Sequence, residues 1–114
     1  MKSSADERLE QLRAYLAEDP NDPFLYFAIA QEHARAGRSA PALEHYHILT
    51  LRFPEYVGTY YHLGKLLERE GRREEAIDTY REGIKRAEDA RERNAVRELR
   101  EALQAAIGFD DGYA

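Results

Sequence analysis

Cysteine is missing from all 114 residues, which excludes a disulfide framework, a thiolate metal site and a thiol nucleophile. Long apolar runs are missing as well. The longest, Phe24 to Ala30, has seven residues, far below the roughly 20 needed to span a bilayer, so no membrane segment is expected. Nor is there an excess of basic charge: 17 Lys plus Arg stand against 22 Asp plus Glu, a net charge of −5. That balance disfavours binding to a phosphate backbone, so nucleic acid is not expected as a partner. The opening MKSSADERLEQL has no apolar stretch after its lysine and does not read as a secretory signal; cytoplasm is the expected location. What remains, 43% hydrophobic and 34% charged residues, suits one folded domain with a modest core.

Comparing the chain with itself reveals a period. An offset of 34 lays residues 21–54 on 55–88 and aligns seven identities: Tyr26/Tyr60, Arg35/Arg69, Gly37/Gly71, Arg38/Arg72, Ala42/Ala76, Tyr46/Tyr80 and Arg52/Arg86. The same step carries Pro20 to Pro54, and Leu9 and Glu10 to Leu43 and Glu44, so residues 5–20 read as the second half of a preceding unit.

Helix punctuation falls in register with that period. Ser4 and Glu7 have capping-box spacing, Asp22 before Pro23 reads as an N-cap with proline in the first turn, and Ser39 can cap a further helix. Gly37, Gly71 and Gly108 stand where helices should end. Six helices are predicted, at about 5–18, 22–36, 40–52, 56–70, 73–88 and 94–107, with no strand-like alternation. At 100° per residue Tyr26, Ile29, Ala30 and His33 share a face, as do Tyr60, Leu63, Gly64 and Leu67. Ala42, Tyr46, Leu49 and Thr50 form a stripe matched by Ala76, Tyr80, Gly83 and Ile84. Small residues opposite tyrosines allow helix axes to approach closely. Gly58, Gly64 and Gly83 are expected at packing positions inside helices.

These residues resemble the tetratricopeptide repeat family, whose unit of about 34 residues carries an aromatic, a Leu-Gly pair, a helix-ending Gly, an Ala, an aromatic and a Pro in order. Tyr60, Leu63-Gly64, Gly71, Ala76 and Tyr80 supply the pattern in one unit. Tyr26, Ile29-Ala30, Gly37, Ala42, Tyr46 and Pro54 supply it in the other. The resemblance implies an all-α fold of helical hairpins wound into a right-handed solenoid, here a small two-repeat module of bacterial type. The expected organisation is a single domain over 1–107, with a leading half repeat at 5–20, repeats at 21–54 and 55–88, a capping helix at 94–107 and a flexible tail at 108–114.

Two departures stand out. Glu88 replaces the proline expected after the second repeat, and residues 86–101 are dense in charge, with five arginines and five carboxylates. Pairs four apart such as Asp89/Arg93 and Arg97/Glu101 suit a solvated helix surface. Val96, Leu99, Leu103 and Ile107 form an apolar stripe fit to shield the end of a stack.

Nothing in the sequence points to catalysis, a metal or a cofactor. His45 and His47 lie about 160° apart on a helix and cannot both reach one ion, and HExxH, GxSxG and phosphate-loop motifs are absent. His33 stands where the next repeat has Leu67 and reads as a core-edge histidine with a nitrogen turned to solvent. The chain is therefore not read as an enzyme.

A second stripe differs between the repeats. In the family, the corresponding face of each first helix lines a concave groove that grips peptides or a partner's helix. That resemblance implies Phe24, Phe27, Gln31, Arg35, Tyr61, Lys65 and Arg69 as groove contacts; the alternative is that Phe24 and Phe27 pack on the leading helix near Leu12 and Leu16. Gln31 stands where some members carry part of a lysine-asparagine carboxylate clamp, which disfavours that mode. Aromatics edged by Arg35, Lys65 and Arg69 suit a mixed apolar and acidic segment. Ile48 and Leu51 face away from the core stripe and could meet a second copy, making a homodimer, or the tail's Phe109 and Tyr113. Two functions follow: a non-catalytic scaffold that binds a protein segment, or a self-assembling structural subunit.

Overall fold

The computed structural model describes residues 2–108 as six α-helices, with no strand among the described residues: α1 (Ser4–Glu18), α2 (Pro23–Arg35), α3 (Ser39–Arg52), α4 (Gly58–Arg69), α5 (Arg73–Asp89) and α6 (Arg93–Ile107). The expected loose tail, with Phe109 and Tyr113, lies outside the described residues. Residues up to Phe53 group into one unit and residues from Pro54 onwards into another.

Three of the interhelical turns share one hydrogen-bonding pattern. After α2, the Gly37 N–H donates to the Ala34 carbonyl at 3.1 Å and the Arg38 N–H to that of His33 at 2.9 Å. After α4, Gly71 and Arg72 bond Glu68 and Leu67 in the same way, at 3.0 and 2.8 Å. Both glycines have the positive φ expected of them, 78° and 76°, which a residue without Cβ adopts at no steric cost. After α5 the pattern recurs, Arg91 to Glu88 and Glu92 to Ala87, both at 3.0 Å, but the left-handed residue is Arg91, at φ 59°. Gly108, at φ 85°, ends α6 as predicted.

The N-terminal caps depart from expectation in two places. Ser3, not Ser4, caps α1: its hydroxyl accepts the Asp6 N–H at 3.1 Å, the same three-residue reach one position earlier. Ser39 does not cap α3 but is its first residue; Arg38 occupies the cap position and gives no side-chain cap bond. Asp22 caps α2 as expected, accepting the Phe24 N–H at 3.0 Å with Pro23 in the first turn.

In the unit ending at Phe53, α2 and α3 form a hairpin and α1 packs on α2. Tyr26, Ile29, Ala30, Ala42, Tyr46 and Leu49 are buried as their stripes predict. The Tyr26 hydroxyl donates to the Pro20 carbonyl at 2.8 Å, and Arg52 at the end of α3 donates to the same hydroxyl at 2.8 Å and to Asn21 Oδ1 at 3.0 Å. This clasp ties the end of α3 to the entrance of α2. It explains the repeat identities at tyrosine and arginine, since Tyr60 donates to the Pro54 carbonyl and Arg86 hydrogen-bonds Tyr60.

In the unit from Pro54 onwards, α5 packs on both α4 and α6. Two glycines set the distances. A Cβ on Gly64 would lie 2.2 Å from Cε1 of Tyr80, and one on Gly83 would lie 2.5 Å from Cβ of Tyr60 and 3.2 Å from Cδ1 of Leu99. Gly58 is exposed and opens α4.

The inner face of α6 is rotated from its expected position. Leu99, Ala102 and Ala106 are buried, whereas Val96, Leu103 and Ile107 are only partly covered. Small alanines sit at the close contact and the larger aliphatics flank it. The Arg73 guanidinium, at the start of α5, donates to the Ala106 carbonyl at 2.8 Å and to that of Ile107, closing the C-terminal end of α6. Asp89 and Arg93 do not share a helix, because the chain turns between them. Glu88 instead meets Arg100 at 2.8 Å across the α5–α6 turn.

Candidate functional site

The expected groove residues divide between the two units. On α2, Phe24 is 54% exposed in the first turn. Phe27 is half-buried and meets Tyr46 of α3 edge-on, with ring centroids 6.2 Å apart. Gln31 is half-buried and Arg35 exposed. The Arg35 guanidinium pairs with the buried carboxylate of Glu32, which Arg8 approaches at 3.7 Å. Arg35 thus neutralises a charge of its own helix. On α3, Ile48 is half-buried and Leu51 is 83% exposed.

On α4, Tyr61 and Lys65 come together. The Lys65 ammonium lies 5.5 Å from the Tyr61 ring centroid, a cation–π distance, and 4.0 Å from the Glu68 carboxylate. Glu68 also accepts the Tyr80 hydroxyl. Burial, then that bond to Glu68, hold the Tyr80 phenol well above the ordinary phenol range. A single carboxylate therefore links the packed interior to the lysine at the surface. Arg69, the last residue of α4, is exposed and does not line the cleft described next.

Between α4 and α6 lies a cleft of about 530 Å³, with Tyr61, His62 and Lys65 on one wall and Glu98, Glu101, Ala102 and Ala105 on the other. A smaller hollow of about 140 Å³ shares Tyr61, His62 and Glu98 with it and is floored by Val57, Ala95 and Leu99. The α6 wall was not among the residues singled out from the sequence. Positions 98, 101, 102 and 105 have one-face spacing, but the larger aliphatic residues of the helix lie on another stripe, which hydrophobicity marks more strongly. The wall changes the chemistry: two carboxylates stand opposite the lysine.

His33 is not turned to solvent. It is 3% exposed, with Nδ1 accepting from Arg38 Nε at 3.0 Å and Nε2 buried without a hydrogen-bond partner. Since guanidinium can only donate, the neutral ring carries its proton on that unpartnered Nε2. Burial first, then the charge of Arg38, lower the His33 pKa below 6.5. The His45 ring lies 5.8 Å away, centroid to centroid. Among the described residues no group of three or more His, Asp or Glu is placed to hold a metal ion, and no helix is long and apolar enough to cross a membrane.

Comparison with known proteins agrees with this architecture. The family model described as tetratricopeptide repeat matches residues 57–89. A solution structure of a tetratricopeptide repeat domain protein from Salinibacter ruber is 45% identical, superposes with a TM-score of 0.74, and the match covers 77% of this chain and 89% of that one. A crystal structure of a tetratricopeptide repeat domain protein from the same organism is 44% identical, with a TM-score of 0.74 and coverage of 77% and 99%. A protein from Bordetella parapertussis matches at 25% identity and a TM-score of 0.75, covering 93% of this chain and 89% of its own. No functionally curated protein matches. The chain belongs to the tetratricopeptide repeat family. Proteins of this family generally mediate protein–protein interaction and are typically non-catalytic.

Proposed function

We propose that this chain is a non-catalytic, cytoplasmic interaction module that receives an extended segment or helix of a protein partner, and that in the unit from Pro54 onwards the receiving surface is the α4–α6 cleft. The observation that carries this reading is the half-exposed Tyr61 ring, held under Lys65 at the edge of a cleft of about 530 Å³ whose far wall offers two carboxylates and two alanine methyls. An aromatic anchor with neighbouring charges of both signs suits a segment that places an apolar side chain on the ring and polar groups at the rim. Phe24, Phe27, Gln31 and Arg35 are the proposed contacts on α2.

The test is to capture a partner from native lysate and measure its affinity for variants of the full chain. Tyr61→Ala combined with Lys65→Ala is expected to leave helicity and melting nearly unchanged and to weaken binding by more than about 2 kcal/mol, the scale of a central anchor pair. Ile48→Ser with Leu51→Ser should leave that binding intact. The opposite pattern would overturn the reading.

The exposure of Leu51 supports a second reading, in which the chain assembles with itself through Ile48 and Leu51. Sedimentation at rising concentration separates the two. A monomer throughout favours the module, and a dimer abolished by Leu51→Ser favours assembly.

A further inference from the structure

A second cleft, also of about 530 Å³, opens at the α5–α6 turn and has no part in the reading above. Arg91, Arg93, Arg97 and Arg100 line it together with Val96, Glu88 and Glu101. Arg100 is committed to Glu88 at 2.8 Å. Arg91, Arg93 and Arg97 make no ion pair among the described residues, and all three are exposed. Positions 93, 96, 97 and 100 have the spacing of one helix face, so three guanidiniums of α6 share a side with the valine. On a chain of net charge −5, this is a local concentration of positive charge around an apolar floor.

Arg91 adds an independent observation. The turns after α2 and α4 make the same pair of backbone bonds and place glycine at the left-handed position. Here that position is an arginine at φ 59°, a conformation that disfavours any residue with a Cβ. Glycine would make this turn at lower backbone cost, yet the position carries a long cation at the mouth of the cleft. Strained residues of this kind occur where the side chain serves another purpose.

We propose that this cleft binds an acidic segment of a protein partner, with carboxylates engaging the guanidiniums of Arg91, Arg93 and Arg97 and an aliphatic side chain resting on Val96. Guanidinium and carboxylate match in charge and in fork geometry, and the apolar floor gives no benefit to an ion alone. Val96 lies among the arginines, an arrangement that matches carboxylates interrupted by an aliphatic side chain and leaves a continuous phosphate backbone with nothing to place on the apolar floor, which favours a peptide over RNA.

The probe is the blocked peptide acetyl-Glu-Glu-Leu-Glu-Glu-amide, titrated into the full isotope-labelled chain beside its glutamine counterpart and a short oligouridine. Saturable amide shifts are expected at Arg91, Arg93, Val96 and Arg97 with the acidic peptide and not with the glutamine peptide. Arg91→Gly should weaken binding by about fivefold or more, as should Arg97→Gln, because each removes one charge-assisted contact. Arg91→Gly should at the same time melt no lower than the parent, since glycine relieves the turn. That combination separates a binding role from a folding one. Silence of those amides, unchanged affinity in Arg91→Gly, or tighter binding of oligouridine to the same amides would each overturn the proposal.

Discussion

The Tyr80 ring occupies the space that a Cβ on residue 64 would fill: the built atom falls 2.2 Å from Cε1 and 2.6 Å from Cζ. The ring has little freedom to retreat, being fully buried and bonded through its hydroxyl to Glu68. Gly64→Ala should therefore destabilise the chain by about 1–3 kcal/mol through overpacking, although alanine is favoured over glycine in a helix interior by about 1 kcal/mol. Urea melts check the sign. In a Tyr80→Leu background the loss should shrink, and a double-mutant cycle would measure the coupling.

The clasp at each repeat entrance makes a paired prediction. Tyr26 and Tyr60 each donate to a proline carbonyl six residues earlier, and each is met by an arginine from the end of the following helix. Tyr26→Phe and Tyr60→Phe should each cost about 0.5–1.5 kcal/mol, the net worth of an intramolecular hydrogen bond. Arg52→Met should lose stability in the Tyr26 background and much less once Tyr26 is phenylalanine.

His33 sets a pH dependence. Its folded-state pKa is lowered from 6.5 by burial, by the charges of Arg38, His45 and Arg13, with Glu44 opposing. Between the lowered value and 6.5 the unfolded chain binds a proton that the folded chain does not, so stability rises with pH there. The contribution is fully present above 6.5 and is lost as pH falls below it. Thermal melts from pH 7.5 to 5.5 should show that decline, and His33→Leu, the residue of the next repeat, should flatten it. The same variant should gain about 1 kcal/mol at neutral pH, because it removes a buried nitrogen with no partner.

Arg73 closes α6. Its guanidinium bonds the carbonyls of Ala106 and Ile107, two of the groups a helix end leaves without intrahelical donors. Arg73→Met should cost about 1 kcal/mol and raise amide exchange selectively in the last turn of α6. Removing residues 93–114 should be far more damaging, since Leu99 leaves the contact with Gly83 and the apolar side of α5 becomes wet.

Most of the fold was legible because repetition turns weak signals into agreement. A glycine alone is ambiguous, but Gly37 and Gly71 at one offset, each followed by arginine and preceded by a tyrosine stripe, fix where the chain reverses. Where the period stops, local rules misplaced side chains. Hydrophobicity alone places Val96 inside α6, whereas the buried residues there are Leu99 and the alanines Ala102 and Ala106. Gly58 reads as a packing glycine because nothing in its neighbours marks the first residue of a helix, yet it is exposed and opens α4. The cleft was half legible: Tyr61 and Lys65 stood out by differing from Phe27 and Gln31, but Glu98 and Glu101 belong to a helix outside the period. Arg91 left no trace, since left-handed turns are sought at glycine.

The clasp has a kinetic consequence. Arg52 reaches Pro20 across 32 positions, and Arg73 reaches Ile107 across 34, so both bonds close loops of about one repeat length. Loop closure costs entropy only logarithmically in length, and the remaining contacts of the helices are mostly local, the pattern of helical chains that fold in microseconds to milliseconds. Each hairpin can therefore find its partner surface soon after its residues are available, leaving little time in which the exposed tyrosines could meet those of another chain.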